Sequence, residues 1–347
     1  MAPIRAIAMI SNGISAAMLQ GALARDGYAL QEVALILQRK LDLDWTKHCA
    51  EVIDYGVSPS LRLVGQIKTI GYYRRATKRL KAWIAAGTVE DIYIANIDNI
   101  LSNHALQTVR AQGGPRLSVV AEGFMNYQEI GIDDRAGWRW MVKPAIARAL
   151  GLSYVQPRTH LSGAYEPEIS RVFTYSPTGI KSPPEKVIEV RFPEVTARVT
   201  TEPGTALIVL TGIAQWMTPE HFAAFKAAFG KWIASQSYDR ILVKRHPFYP
   251  SGGMEDVLPK HTIVVDSRNL EQMAADIPAA TVIGYCTTAL VTLKLVRPEL
   301  RCIDWGSDFY CEHAYHGDDS VVNVLRSAGV ETVEMRFHQP STSAPTD

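Results

Sequence analysis

The sequence predicts an α/β protein made of two consecutive doubly wound units, and three observations carry that expectation. The chain has 347 residues, more than the roughly 250–300 that one hydrophobic core organises. Apolar runs of strand length alternate with amphipathic runs of helix length, which is how parallel sheets joined by helices read. Seven prolines, from Pro157 to Pro203, loosen that alternation midway before it resumes. The expected organisation is a first unit over 1–165, a second over 166–337, and a Pro/Ser/Thr-rich tail over 338–347.

In the first series, Ile4–Ile10 reads as a strand, followed by a Ser11-Asn12-Gly13 turn and a helix near Ala16–Arg25. Val33–Leu37, Asp91–Ile97 and Leu117–Ala121 read as further strands, with a helix at His104–Ala111 between the last two. Tyr72–Trp83 is a basic, aromatic-bearing segment of helical pattern, suited to steering an acidic glycan or to lying on an anionic membrane face. Lys186–Val190 is a short strand within the proline-rich stretch.

The second series begins at strand Ala206–Leu210 and helix Pro219–Ser235. Thr218 before Pro219 fits an N-cap with proline in the first helical position. Phe222, Phe225, Phe229 and Trp232 share one face of that helix and belong to a core. Strands follow at Arg240–Val243, Thr262–Val265, Thr281–Tyr285 and Leu300–Ile303, with helices at Asn269–Ala275, Thr288–Val296 and Ser320–Ala328.

Composition narrows the function classes. Lys plus Arg number 36 and Asp plus Glu 35, so the basic excess of a dedicated nucleic-acid binder is missing. Cys49, Cys286, Cys302 and Cys311 are scattered without a CxxC pair, which points to free thiols in a reducing compartment rather than a disulfide framework or zinc cluster. The start lacks the pattern of a signal peptide, and no apolar run approaches the ~20 residues of a membrane span. The expectation is a cytoplasmic protein, with peripheral contact at the inner membrane as an added feature.

Ligands of doubly wound sheets sit beyond the carboxyl ends of the strands, and three predicted strand ends carry chemistry. The first is Val120-Ala121-Glu122-Gly123, a carboxylate placed to act as a base with a glycine behind it for the turn. The second is Lys244-Arg245-His246-Pro247, two cations and an imidazole suited to an anion. The third is Gly284-Tyr285-Cys286-Thr287-Thr288, paired hydroxyls at a helix start, where free N–H groups hold phosphate without a metal. Asn12 and Gly13, at the end of the first strand, are candidates to contact the sugar of a donor.

In this order, the acidic-Gly segment, the His-Pro segment and the hydroxyl pair resemble the bacterial sialyltransferases and polysialyltransferases, and share parts of their pattern with Kdo transferases. The resemblance implies a GT-B fold, two facing Rossmann-like doubly wound domains with an interdomain cleft. It implies inverting, metal-independent transfer of a nonulosonic acid from a CMP-sugar to a glycan hydroxyl. By the same resemblance Glu122 is the base, His246 and Pro247 meet the CMP phosphate, Thr287 and Thr288 bind it, and Glu271 holds the ribose. Lys244 and Arg245 add charge at the donor phosphate. The family motif commonly has two acidic residues before the glycine, whereas this chain has Ala121-Glu122-Gly123. The base is therefore Glu122 or another carboxylate such as Asp133 or Asp134. The alternatives are a GT-B transferase with a CMP-Kdo, UDP- or GDP-sugar donor, and a non-catalytic nucleotide- or carbohydrate-binding protein. His313 and His316 raise a metal site, but no further ligand stands at a recognisable spacing.

Overall fold

A computed structural model describes residues 2–39, 41, 43–55, 63–128, 138–157, 159–192, 195, 198–246, 251–266, 268, 270–314 and 319–335. Pro247, Asp133, Asp134, His316 and the 338–347 tail lie outside the described residues.

The first unit is a seven-stranded parallel sheet built from β1 (Ala6–Ile10), β2 (Val33–Leu37), β3 (Glu51–Ile53), β4 (Asp91–Ile94), β5 (Arg116–Val120), β6 (Ile169–Thr174) and β7 (Val187–Glu189), in the order β3-β2-β1-β4-β5-β6-β7. Both β1 and β2 are buried along their whole length, as parallel strands covered on two faces must be, so their sequences are unbroken apolar runs. The helices are α1 (Gly13–Asp26), α2 (Leu63–Ala85), α3 (Ile100–Gln112) and α4 (Trp138–Ala149). Tyr72, Ala76, Leu80 and Trp83 of α2 and Leu101, Ala105 and Leu106 of α3 pack with Ile7, Met9, Ile92, Ile94 and Val119 of the sheet.

The second unit is a six-stranded parallel sheet of β8 (Glu202–Val209), β9 (Arg240–Lys244), β10 (Thr262–Ile263), β11 (Ala279–Gly284), β12 (Arg301–Trp305) and β13 (Glu331–Val333), ordered β10-β9-β8-β11-β12-β13. Its helices are α5 (Pro219–Ala234), α6 (Leu270–Met273), α7 (Thr288–Val296), α8 (Ser307–Ala314) and α9 (Ser320–Ser327). Phe225 and Phe229 of α5 are fully buried and meet the Trp305 ring edge-on at centroid distances of 5.0 and 5.1 Å. The Thr218 hydroxyl accepts from the His221 N–H at 3.3 Å, the cap the sequence predicts. Thr218→Ala is expected to cost about 1 kcal/mol, read as a lower urea midpoint at unchanged slope.

The division between units falls between residues 194 and 195, later than the expected 165/166. The reason is β6 and β7. Val119 of β5 pairs with Val172 of β6, and Val172 with Val187 of β7, so the proline-rich stretch carries the last two strands of the first sheet. The fold is thus two Rossmann-like units in tandem, each wound outward from a central strand pair, and such a pair of units is what a GT-B chain contains.

Candidate functional site

In the first unit β1, β4 and β5 are neighbours, and their carboxyl ends bring three polar side chains to one place. The Ser11 hydroxyl donates to Glu122 Oε2 at 2.6 Å, and Asn96 Nδ2 donates to the same oxygen at 2.8 Å. Ser11 and Asn96 are buried, while Glu122 is half-buried. Oε1 of Glu122 makes no hydrogen bond among the described residues. One oxygen is therefore fixed by two donors, the Ser11 hydroxyl and the Asn96 amide.

The backbone around this carboxylate is fixed just as closely. Gly123 has φ +128, a conformation that side-chain-bearing residues rarely adopt, and it turns the chain into a 3-10 turn at Phe124–Asn126. That turn brings Asn126 Oδ1 back to accept from the Glu122 N–H at 2.9 Å. Asn12 N-caps α1, its Oδ1 accepting from the Ser15 N–H at 2.8 Å. With that oxygen used in the cap, Asn12 Nδ2 donates to the Glu122 carbonyl at 2.8 Å. Asn12 thus meets Glu122, and Gly13 is the first residue of α1 rather than part of a turn.

In the second unit β9 and β11 flank β8, so the His246 and Thr287-Thr288 segments leave the same edge of the sheet with β8 between them. Lys244 is buried, its Nζ donating to the Asp266 carbonyl at 2.5 Å. Burial lowers the pKa of its ammonium; Arg268 adds to the lowering and Asp266 opposes it. Arg245 is exposed and forms a two-pronged pair with Glu255 at 2.9 and 2.5 Å. Both cations of the predicted anion cluster have partners of their own, and half-buried His246 follows them.

Thr287 N-caps α7, its hydroxyl accepting from the Ala289 N–H at 3.3 Å, so its oxygen serves the helix. The Thr288 hydroxyl makes no hydrogen bond among the described residues. The turn is tight: a Cβ on Gly284 would lie 2.8 Å from Thr287 Cγ2. Glu271 sits half-buried on α6, and burial raises its carboxyl pKa. No hydrogen bond connects it to the β9 or β11 segments among the described residues.

Two predicted features acquire a definite geometry. On α2, Arg74, Arg75, Lys78, Arg79 and Lys81 face outward; Arg79 pairs with Glu51 and Lys81 donates to the Gly151 carbonyl at 3.0 Å. His313 packs its ring on His221 and on Phe309, at centroid distances of 4.0 and 4.1 Å. Among the described residues no group of three or more His, Cys, Asp or Glu side chains is arranged to hold a metal ion. All four cysteines are free thiols, and no helix among the described residues is long and apolar enough to cross a membrane.

Asn96 and Asn126 were not predicted. Asn96 falls inside the strand expected at Asp91–Ile97, which ends at Ile94, so the polar residue that reaches Glu122 reads as strand interior. Asp304-Trp305-Gly306 reads in sequence as a segment after the last strand, without an assigned role; Ser307, which was not predicted, donates its hydroxyl to Asp304 Oδ1 at 2.6 Å.

The strand order and the division of the chain together define two Rossmann-like units in tandem. No protein-family model matches the chain, and no curated protein matches it in sequence. Among solved structures it is similar to a putative UDP-N-acetylglucosamine 2-epimerase from Listeria monocytogenes, with a TM-score of 0.49 and 11% identity over 94% of this chain and 88% of that one. It is also similar to Arabidopsis thaliana UGT89C1 complexed with UDP-L-rhamnose, with a TM-score of 0.48 and 11% identity over 95% and 84%. MurG of Acinetobacter baumannii gives a TM-score of 0.42 and 12% identity over 95% and 86%.

Proposed function

We propose that this chain is an inverting glycosyltransferase acting on a nucleotide-activated sugar. The observation that carries the proposal is the Glu122 carboxylate, with one oxygen held by Ser11 and Asn96 and the other open. Oε1 takes the proton of the acceptor hydroxyl as that oxygen bonds to the anomeric carbon, and the bond from that carbon to the donor's phosphate oxygen breaks. The leaving phosphate carries the bonding pair away. Within the second unit, the N–H groups at the start of α7, the Thr288 hydroxyl and His246 are the groups suited to a phosphate's charge. Leaving-group stabilisation is in this reading the task of protein groups, and Lys244 and Arg245 contribute through the local field rather than as ligands.

Two donor classes fall within the proposal. The three sequence segments speak for a CMP-nonulosonate, while UGT89C1, of similar fold, is complexed with UDP-L-rhamnose. Thermal unfolding in the presence of CMP-, UDP- and GDP-sugars separates them. The bound class is expected to stabilise the chain by about 2.7 kcal/mol at a hundredfold excess over Kd, and the others not at all. Stabilisation without nucleotide release in the presence of an acceptor would identify a binding protein instead.

A further inference from the structure

The end of β12 holds a carboxyl that this mechanism does not use. Asp304 is 1% exposed and pairs with no cation among the described residues. Its Oδ1 accepts from the Ser307 hydroxyl at 2.6 Å and from the Cys286 N–H at 3.1 Å. The same N–H reaches Ser307 Oγ at 2.7 Å. Cys286 has φ +46 and is the one non-glycine in the left-handed region among the described residues. L-residues avoid that region, so a Cys held there by two acceptors is a turn set by its surroundings. The turn leads straight into Thr287 and the first residues of α7.

We infer that Asp304 positions this turn for the donor's phosphate and takes up a proton when that phosphate binds. The inference rests on the nucleotide-sugar reading above. A phosphate at the start of α7 and a carboxylate bonded to the Cys286 turn that leads into α7 are two neighbouring anions, and burial disfavours full charge on both. The groups facing Asp304 offer it no countercharge. Asp308, on α8, is a like charge, with its own oxygens taken by the Met335 N–H at 3.1 Å. Cys311 lies near the Cys286 thiol, which burial pushes well up and so keeps neutral.

The Asp304 carboxyl, raised by burial, is pushed up to about 7. Below that pH it is protonated and compatible with a neighbouring phosphate. Above it the carboxylate forms and repels one. Donor affinity therefore falls as pH rises through 7, and by reciprocity the phosphate raises the proton affinity of Asp304.

The test measures binding of UDP-glucose and CMP-N-acetylneuraminate, whose phosphate linkages do not titrate in this range, at pH 6 and pH 8.5. Affinity of the wild-type chain for the bound donor is expected to weaken about tenfold across that interval. In Asp304→Asn, which keeps the acceptor oxygen for Ser307 and Cys286 but has no charge to gain, affinity stays flat. Equal pH dependence in both proteins would assign the effect to a group other than Asp304 and would overturn the inference. Calorimetry of the wild-type chain near pH 7, in two buffers of different ionisation enthalpy, needs no variant; binding without net proton uptake would overturn it as well. Binding of neither donor at any pH refutes the nucleotide-sugar reading itself, and this inference with it.

Discussion

Glu122→Gln is expected to lower the rate of sugar transfer by about 10²–10⁴-fold, the range for loss of a positioned general base. The substitution is chosen because it changes little else. The Gln amide oxygen can still accept from Ser11 and Asn96, which now donate at 2.6 and 2.8 Å. The backbone bonds to Asn12 and Asn126 do not involve the side chain of residue 122. What disappears is an oxygen able to take a proton. Nucleotide release in the presence of acceptor measures the loss, with circular dichroism and melting temperature unchanged. Full activity of this variant, with loss in Asp133→Asn or Asp134→Asn, would move the base to that pair.

The features legible in the sequence are those with a local cause. The apolar runs of β1 and β2 are continuous because both faces of a parallel sheet are covered, and Val33–Leu37 is the strand the sequence predicts. Likewise α7 begins at Thr288 because the Thr287 cap is written into adjacent residues. Features with a distant cause were not legible. Asn12-Gly13 reads as a turn, yet Asn12 caps α1 in a reciprocal pair with Ser15, so the helix starts three residues before the expected Ala16. A basic strand end at Lys244-Arg245 reads as a phosphate cradle until Asp266 and Glu255 arrive from elsewhere in the chain to take both charges. The proton affinity of Asp304 does not show in sequence, because what sets it is burial, a property of the packed unit.

The charged residues of β4, β5 and β6 bear the largest expected stability effect. Asp91, the first residue of β4, is fully buried, a position that a carboxylate occupies only with partners. It accepts from Arg171 Nη2 and Arg116 Nη2, each at 2.7 Å, and from the Tyr28 hydroxyl. Arg171 also donates to Asp26 at 2.9 Å, and Asp26 accepts from the Tyr93 hydroxyl. This explains why Arg171 interrupts the apolar pattern of β6 and why the strand was not predicted. Asp91→Ala would remove the shared acceptor and leave the less exposed guanidinium, that of Arg171, with the Asp26 carboxylate and the Ser118 hydroxyl. The expected cost is about 3–5 kcal/mol, a large share of the 5–15 kcal/mol that holds a typical domain. Denaturant unfolding measures it, and adding Arg171→Met should recover part of the loss, because the charge left without its partner is then gone too. The exposed Arg245–Glu255 pair is the internal control. Arg245→Ala is expected to leave the unfolding midpoint nearly unchanged despite bonds of similar length, since water replaces what the partner supplied. Equal costs in the two variants would mean that burial does not govern the strength of these ion pairs, and would remove the physical basis for reading Arg171 as a structural residue.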